Sequence, residues 1–391
     1  MAARGVSLGA RSSFRLMLGA TLLGFGGYAL LLPVVPLWVA RGGSGAFGAG
    51  ASTGVLMLTT VLTQFGVPWL LVRCGHRFVL GAGMALLGAP APLLALSADL
   101  APVLAVSAVR GVGFGLLTVA GSALIAELVP PAEHGRASAR YGLAVGVPQL
   151  VLLSAGVAVV ERFGFTVVFL AAASPLLGLL LVPLIRVPPR TDGAAPAPPG
   201  VAVSEEAPLR RVALGPVLAM LTCSIAQGGL ITFLPLVAAE PGRVVPLALF
   251  VTAAGALAGR LVAGELVDHR GMAGRLLVPG MLLAGAGMLA ELLGAGSAGA
   301  AAAVAMVAGA LVVGIGFGLV QNDSLVALFN AGGPARYGTA SAVWNIAYDA
   351  GTGAGAVGLG AIAEPFGFRA AFGAAAVLLV LAAPFARARR R

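Results

Sequence analysis

Apolar residues in this chain run in blocks of about twenty, separated by short polar or charged stretches, and do not alternate with a period of two. A bilayer core of about 30 Å is crossed by roughly 20 helical residues. The blocks therefore predict membrane-spanning helices near 16–39, 52–71, 78–97, 101–126, 141–160, 165–185, 213–238, 244–264, 276–294, 301–329, 340–361 and 368–386. Blocks this long exclude a transmembrane barrel, whose strands are alternating segments of about ten residues. One stretch breaks the pattern: Val187 to Arg211 holds Pro188-Pro189, Pro196, Pro198-Pro199 and Glu205-Glu206, a composition that builds no core. It divides the chain into an N-terminal six-helix bundle, 1–186, a cytoplasmic linker, 187–211, and a C-terminal six-helix bundle, 212–391.

The second bundle echoes the first. Gly111-Val112-Gly113-Phe114-Gly115-Leu116 returns as Gly314-Ile315-Gly316-Phe317-Gly318-Leu319, an offset of 203 residues (111 to 314). The same offset carries Pro131 to Pro334, Gly135 to Gly338 and Ala137-Ser138-Ala139 to Ala340-Ser341-Ala342, and Pro36-Leu37 is echoed by Pro235-Leu236. A duplicated hydrophobic chain predicts a substrate site between its halves, near the bilayer midplane.

Composition agrees. Hydrophobic residues make up 59% and charged residues 10%, and mean hydropathy is +1.01, whereas a soluble domain carries about 25% charge. The net charge of +10 comes entirely from arginine, with no lysine. In a soluble protein this excess would point to nucleic acid; here its placement gives another answer. With the N-terminus inside, Arg4, Arg11, Arg15, Arg73, Arg77, Arg136, Arg140, Arg186, Arg190, Arg210, Arg211, Arg270, Arg275, Arg336 and the tail from Arg387 to Arg391 fall on the cytoplasmic side. Only Arg41, Arg162, Arg243 and Arg369 fall outside. The positive-inside rule then predicts cytoplasmic termini and an even number of spans, and no nucleic-acid partner is expected. The first block is too long for a signal-peptide core and reads as a retained helix. With no organelle-targeting feature, a bacterial inner membrane is the expected location. Cys74 and Cys223 are not expected to form a disulfide.

Between the eighth and ninth spans stands Gly264-Glu265-Leu266-Val267-Asp268-His269-Arg270-Gly271, followed by Arg275. This resembles motif A of the major facilitator superfamily. The matching first-half loop, Pro68 to Arg77, keeps Arg73, Gly75 and Arg77 but has Val72 where the motif has Asp. In the fourth span, Arg110-Gly111-Val112-Gly113-Phe114-Gly115 resembles motif B, the Arg-x-x-x-Gly pattern of proton-linked members. The antiporter motif is poorly matched by Pro148-Gln149 and Ser154-Ala155-Gly156. The resemblance extends over the whole chain in span count, duplication, central loop and loop positions. It implies two pseudo-symmetric six-helix bundles acting as a secondary transporter for protons and a small organic molecule, similar to the drug- and sugar-efflux branch. A proton-coupled uptake symporter and a non-transporting sensor of the same fold remain as alternatives. No cofactor and no enzymatic activity are expected, and the protein is expected to be a monomer. No zinc cluster, P-loop lysine or nucleophile elbow appears.

Physics assigns roles within that outline. Asp268 suits a neighbouring helix N-terminus, where the macrodipole favours an anion, and the helix beginning after Gly338 is the expected acceptor. With Gly264, Arg270, Gly271, Arg275, Arg73, Gly75, Arg77, Glu127 and Arg260 it would form an inner gate. In span eleven, Ser341, Asn345, Asp349 and Thr352 make one helical stripe, with Trp344 and Tyr348 beside it. Asp349 falls near the midplane, where a charge is costly and a proton-carrying carboxyl is placed; the alternative is a helix–helix hydrogen bond made by Asp349 and Asn345. A buried Arg110 points to proton coupling or substrate contact, against a structural ion pair. Span ten carries Gln321-Asn322-Asp323-Ser324, with Asp323 a second proton candidate. Aligning the two motif A loops sets Arg260 opposite Gln64, and Arg260 and Asp323 are expected to neutralise one another. Glu291 reads as an interfacial carboxylate and Trp38 as an interfacial anchor or a stacking group. Tyr28, Gln227, Gln321, Asn322, Trp344, Asn345 and Tyr348 are the expected substrate-cavity residues.

Overall fold

The computed structural model describes residues 8–129, 133–187, 209–237, 243–295, 297, 299–332 and 337–386. The first span begins as α1 (Leu8–Leu31) and is interrupted at Pro33, which lacks the N–H that a continuous helix needs; it resumes as α2 (Val34–Val39). Spans two and three form a single hairpin element, α3 (Gly45–Gly88), which reverses on Gly75 at φ +77. Span four is α4 (Leu100–Leu128) and span five α5 (His134–Phe163). Span six is broken into α6 (Phe165–Ala171) and α7 (Pro175–Leu181), with Pro175 opening the second piece.

The second half repeats this order. Span seven is α8 (Leu209–Val237), followed by α9 (Val244–Arg270), α10 (Leu277–Gly294) and α11 (Ala300–Gly332). Spans eleven and twelve are the two arms of α12 (Tyr337–Ala382), which reverses on Gly367 at φ +80. Nine stretches are long and apolar enough to cross a membrane; Ser12–Leu96, of 85 residues, contains three crossings and Gly338–Ala386, of 49 residues, contains two. The predicted twelve crossings are all present. The linker falls almost wholly outside the described residues, as do Pro131, Pro334 and Arg336.

The duplicated glycines show why the halves share a shape. A Cβ on Gly111 would lie 2.2 Å from the carbonyl of Leu56 in span two, and one on Gly113 would lie 2.4 Å from the amide of Leu87 in span three. Their copies behave alike: Gly314 would meet Thr252 at 2.2 Å in span eight, and Gly316 would meet Ala284 at 2.5 Å in span nine. Spans four and ten are thus each wedged between two neighbours at backbone contact, which only glycine permits. The motif A loops match as well: α9 ends on Gly271 at φ +59, with the Met272 amide donating to the Leu266 carbonyl in a Schellman closure, at the position where α3 turns on Gly75.

The first and last described residues, Leu8 and Ala386, are separated by twelve crossings and so lie on one side of the bundle, called here the terminal face; the turns after α2 and at Gly367 lie on the distal face.

Candidate functional site

The halves meet along α3 and the first arm of α12, and the distal part of that seam is closely packed at glycines. A Cβ on Gly50 would lie 2.1 Å from the Ala356 carbonyl, one on Gly54 2.2 Å from Val357, and one on Gly353 2.7 Å from Met57. At the distal face the Glu364 carboxylate accepts from the first free amides of α3, Ala46 at 2.6 Å and Phe47 at 3.1 Å. An anion from one half thus sits on the positive helix end of the other. Gly45, at φ +66, admits that carboxylate; a Cβ there would fall 2.4 Å from it.

Deeper in the same seam stands Asp349, 3% exposed. It lies twelve residues past the start of α12, about 18 Å along the helix axis and so near the midplane of a 30 Å core. Its Oδ2 accepts from Gln64 Nε2 at 2.7 Å, across the two halves. Gln64 also reaches Thr118 Oγ1 at 3.4 Å, while its own Oε1 is buried without a donor. Asn345 does not serve Asp349: it donates to the Ser341 carbonyl on its own helix, and Thr352 likewise donates to the Tyr348 carbonyl. The stripe exists, and among the described residues its side-chain hydrogen bond to the other half runs through Gln64, the position aligned above with Arg260.

Arg110 is 1% exposed and donates from Nε to the Leu87 carbonyl (3.2 Å) and from Nη2 to the Gly27 carbonyl (3.3 Å). It ties span four to spans one and three through carbonyls; among the described residues no carboxylate pairs with it, contrary to the structural ion pair held open above. The Tyr28 ring stacks on Phe114 with centroids 4.0 Å apart, and its buried hydroxyl has no hydrogen-bond partner. That hydroxyl lies within electrostatic reach of Arg110, Tyr348 and Asp349. Tyr28, Ser52, Thr53, Ser107 and Arg110 line a pocket of about 10 Å³, room for a single water.

Tyr348 and Trp344 are stacked at 6.0 Å, and Trp344 Nε1 donates to Ser324 Oγ at 3.0 Å. Arg260 lies within electrostatic reach of Tyr348. Gln227 is buried with a free Oε1, and Gln321 and Asn322 are half-buried on α11.

The expected Arg260–Asp323 pair is not formed. Asp323, fully buried, accepts the amides of Gly274 (2.6 Å) and Leu276 (2.8 Å), so it caps the start of α10 and pins the end of the motif A loop to span ten. Two further carboxylates carry more than the sequence reading gave them. Glu291 is fully buried rather than interfacial, facing Gly309 of α11, and Glu364 bridges the halves. Helix periodicity alone places Glu291 on the same face as Gly287 and Gly294, which would have marked it as packed.

Of the gate residues, Asp268, Arg270 and Arg275 are exposed, and Asp268 makes no contact with the start of α12 among the described residues. Gly264 has open space where a Cβ would stand, so it serves neither turn nor close approach; the turn is made by Gly271. Arg73 lies over the Trp69 ring at 5.3 Å, and Arg77 donates to the Pro183 carbonyl. Glu127 is half-buried near the end of α4.

The family profile of the Major Facilitator Superfamily matches residues 16–356, both halves of the duplication included. The chain belongs to the Major Facilitator Superfamily. Its fold is that of a superfamily transporter: a bacterial homologue of the human lysosomal transporter Spinster, in an inward-facing and unoccupied conformation, superposes with TM-score 0.74 at 16% identity, covering 98% of this chain and 97% of that one. The occupied inward-facing form of the Spinster homologue gives TM-score 0.76 at 16% identity, with 95% of each chain covered. No curated protein is significantly similar in sequence. As a superfamily member the chain is a multi-pass membrane transporter of a small-molecule substrate.

Proposed function

We propose that this transporter couples proton movement to the export of a small organic molecule by alternating access. The observation that carries the reading is the Gln64–Asp349 contact: a buried carboxylate, near the midplane, bonded across the two halves that must separate during the cycle. A neutral amide is suited to both protonation states, because its N–H donates to a carboxylate and its carbonyl accepts from a carboxylic acid. The donor-free Oε1 of Gln64 is the acceptor the second state needs. Proton loading at Asp349 would therefore exchange one cross-half hydrogen bond for another with a different geometry, and so bias which face is closed.

Two latches frame the cycle. Glu364 on the α3 N-terminus holds the distal face shut in this structure, and Asp268 on the start of span eleven would hold the terminal face shut in the alternate state. The termini are read as cytoplasmic from the arginine placement, and export rather than uptake follows from the resemblance to the efflux branch. The bundles 1–186 and 212–391 are the moving bodies. Tyr28, Gln227, Gln321, Asn322, Trp344, Asn345 and Tyr348 supply the substrate surface, with Arg110 and Asp323 as supports of the site rather than carriers of the proton.

The test is flux of a substrate panel in inside-out vesicles with an imposed pH gradient, with proton movement recorded on substrate addition. Proton efflux from the lumen upon substrate uptake supports antiport. Proton and substrate moving together would replace export by symport, and no flux at all would leave the sensor reading.

A further inference from the structure

The pseudo-symmetry makes one residue conspicuous. The motif A alignment pairs Gln64 with Arg260 (offset 196, 68 to 264), and the duplication pairs Thr118 with Gln321 and Gly146 with Asp349 (offset 203). In the N-terminal half, Gln64 is served by Thr118 on span four and by Asp349 from the facing span eleven. The matching junction is α5 against α9, and these helices do pack on one another. There the polar position is a cation, Arg260, and the position that the repeat sets opposite it, by alignment, is Gly146, where a Cβ would have no protein atom within 4 Å.

Arg260 stands four residues inside the predicted end of span eight at 264, about 6 Å along the axis, hence within the membrane toward its terminal face. It is half-buried, and among the described residues its guanidinium makes no hydrogen bond or ion pair; its electrostatic neighbour is the neutral phenol of Tyr348. A guanidinium held within the membrane without an acceptor is costly. The contrast with Arg110, which spends its donors on two carbonyls, shows that the same chain satisfies a buried arginine where no ligand is needed.

Taking the transport reading as its basis, we infer that Arg260 is the anion-recognition residue of the substrate site, and that the transported molecule is an aromatic or otherwise apolar organic anion whose carboxylate or phosphate occupies the space left at Gly146. The planar fork of Arg260 suits either headgroup. The body of the molecule would lie against Tyr348, Trp344 and Phe317, which form a continuous aromatic face (Phe317–Tyr348 centroids 5.9 Å, Trp344–Tyr348 6.0 Å). Tyr348 is also within electrostatic reach of Asp349, so the anion and the proton sites flank one phenol.

The test is equilibrium dialysis of the full chain in nanodiscs of phosphatidylcholine alone, against 4-nitrobenzoate, 4-nitrophenyl phosphate and the neutral 4-nitrobenzamide. The wild type is expected to hold at least one anion tenfold or more tighter than the amide, the anion preferred telling carboxylate from phosphate. Arg260→Gln should erase that preference and Arg260→Lys should keep part of it. Gly146→Asp should erase it too, by supplying an internal carboxylate to the guanidinium; this variant and the Lys variant decide the matter if the Gln variant does not fold. A preference that survives in Arg260→Gln with wild-type thermal unfolding, or a wild type that binds neither anion, overturns the inference. Vesicle flux is read separately: Arg260-dependent binding without flux sinks the transport reading and leaves the anion site standing, while flux of the amide alone does the reverse.

Discussion

Gln64 Nε2 and Asp349 Oδ2 stand 2.7 Å apart although 285 residues separate them, so a single hydrogen bond spans the duplication. Asp349→Asn removes the titrating group but keeps the shape, and is expected to abolish transport driven by a pH gradient while leaving substrate binding within about threefold of wild type, an effect below ~1 kcal/mol. Gln64→Leu should cost about tenfold in driven transport, as expected for a lost bond worth ~1–2 kcal/mol. Wild-type driven transport in the Leu variant at equal expression would show that the two residues do not act through their contact.

Glu364 holds the distal face through two backbone amides, and charge is what a helix N-terminus rewards. Glu364→Gln should therefore weaken the closed state by roughly 0.5–2 kcal/mol. In a background with Cys74 and Cys223 replaced, a cysteine at Ser52, 1% exposed in this conformation, should react with a distal-side maleimide several-fold faster in the Gln variant. Asp268→Asn should push the other way. Equal labelling rates in all three chains would deny both latches.

Arg110 gives its donors to the carbonyls of Gly27 and Leu87, so its loss leaves two buried acceptors and a void. Arg110→Met, which keeps length without donors, is expected to lower stability by about 1–3 kcal/mol and to be visible as a fall in Tm in detergent. Lys at this position should recover only part, because one ammonium replaces the planar fork. A Met variant with wild-type Tm and lost proton coupling would return Arg110 to the mechanism itself.

The wedge of span ten predicts a contrast among glycines. Gly318→Val would drive a Cβ to within 2.1 Å of the Ala256 carbonyl and should cost about 1–3 kcal/mol or prevent folding. Gly264→Ala and Gly358→Ala meet nothing within van der Waals reach and should leave Tm unchanged. Loss of stability in the Gly264 variant would give that motif position a packing role that it lacks in this conformation.

The apolar blocks and the repeated Gly-x-Gly-x-Gly made the fold readable, since block length answers to bilayer thickness and the glycines to helix contact. Asp349 was readable too, as the one carboxyl on a polar stripe within an apolar helix. Its partner was not, because a contact between halves leaves no trace in local spacing; the amide of Gln64 inside span two was the signal available. Matching charges by type misled in the case of Asp323. A carboxylate near a helix start is satisfied by backbone amides, and here those of Gly274 and Leu276 were closer than any arginine. Glu364 drew no expectation for the same reason, since the donors it uses belong to no side chain.

The glycine seam between α3 and α12 bears on leakage. Where Gly50 meets the Ala356 carbonyl, and Gly54 and Gly353 receive the side chains of Val357 and Met57, no file of water fits between the helices, and ions cannot cross a low-dielectric barrier without one. On the proposed coupling the seam would be an electrical insulator: a transporter that loads protons at a mid-membrane carboxylate would thereby keep the voltage across that membrane from short-circuiting through the protein. Bulkier residues along that line would hold the helices apart and invite water in, so the smallness of these positions guards the energy source on which a coupled transporter depends.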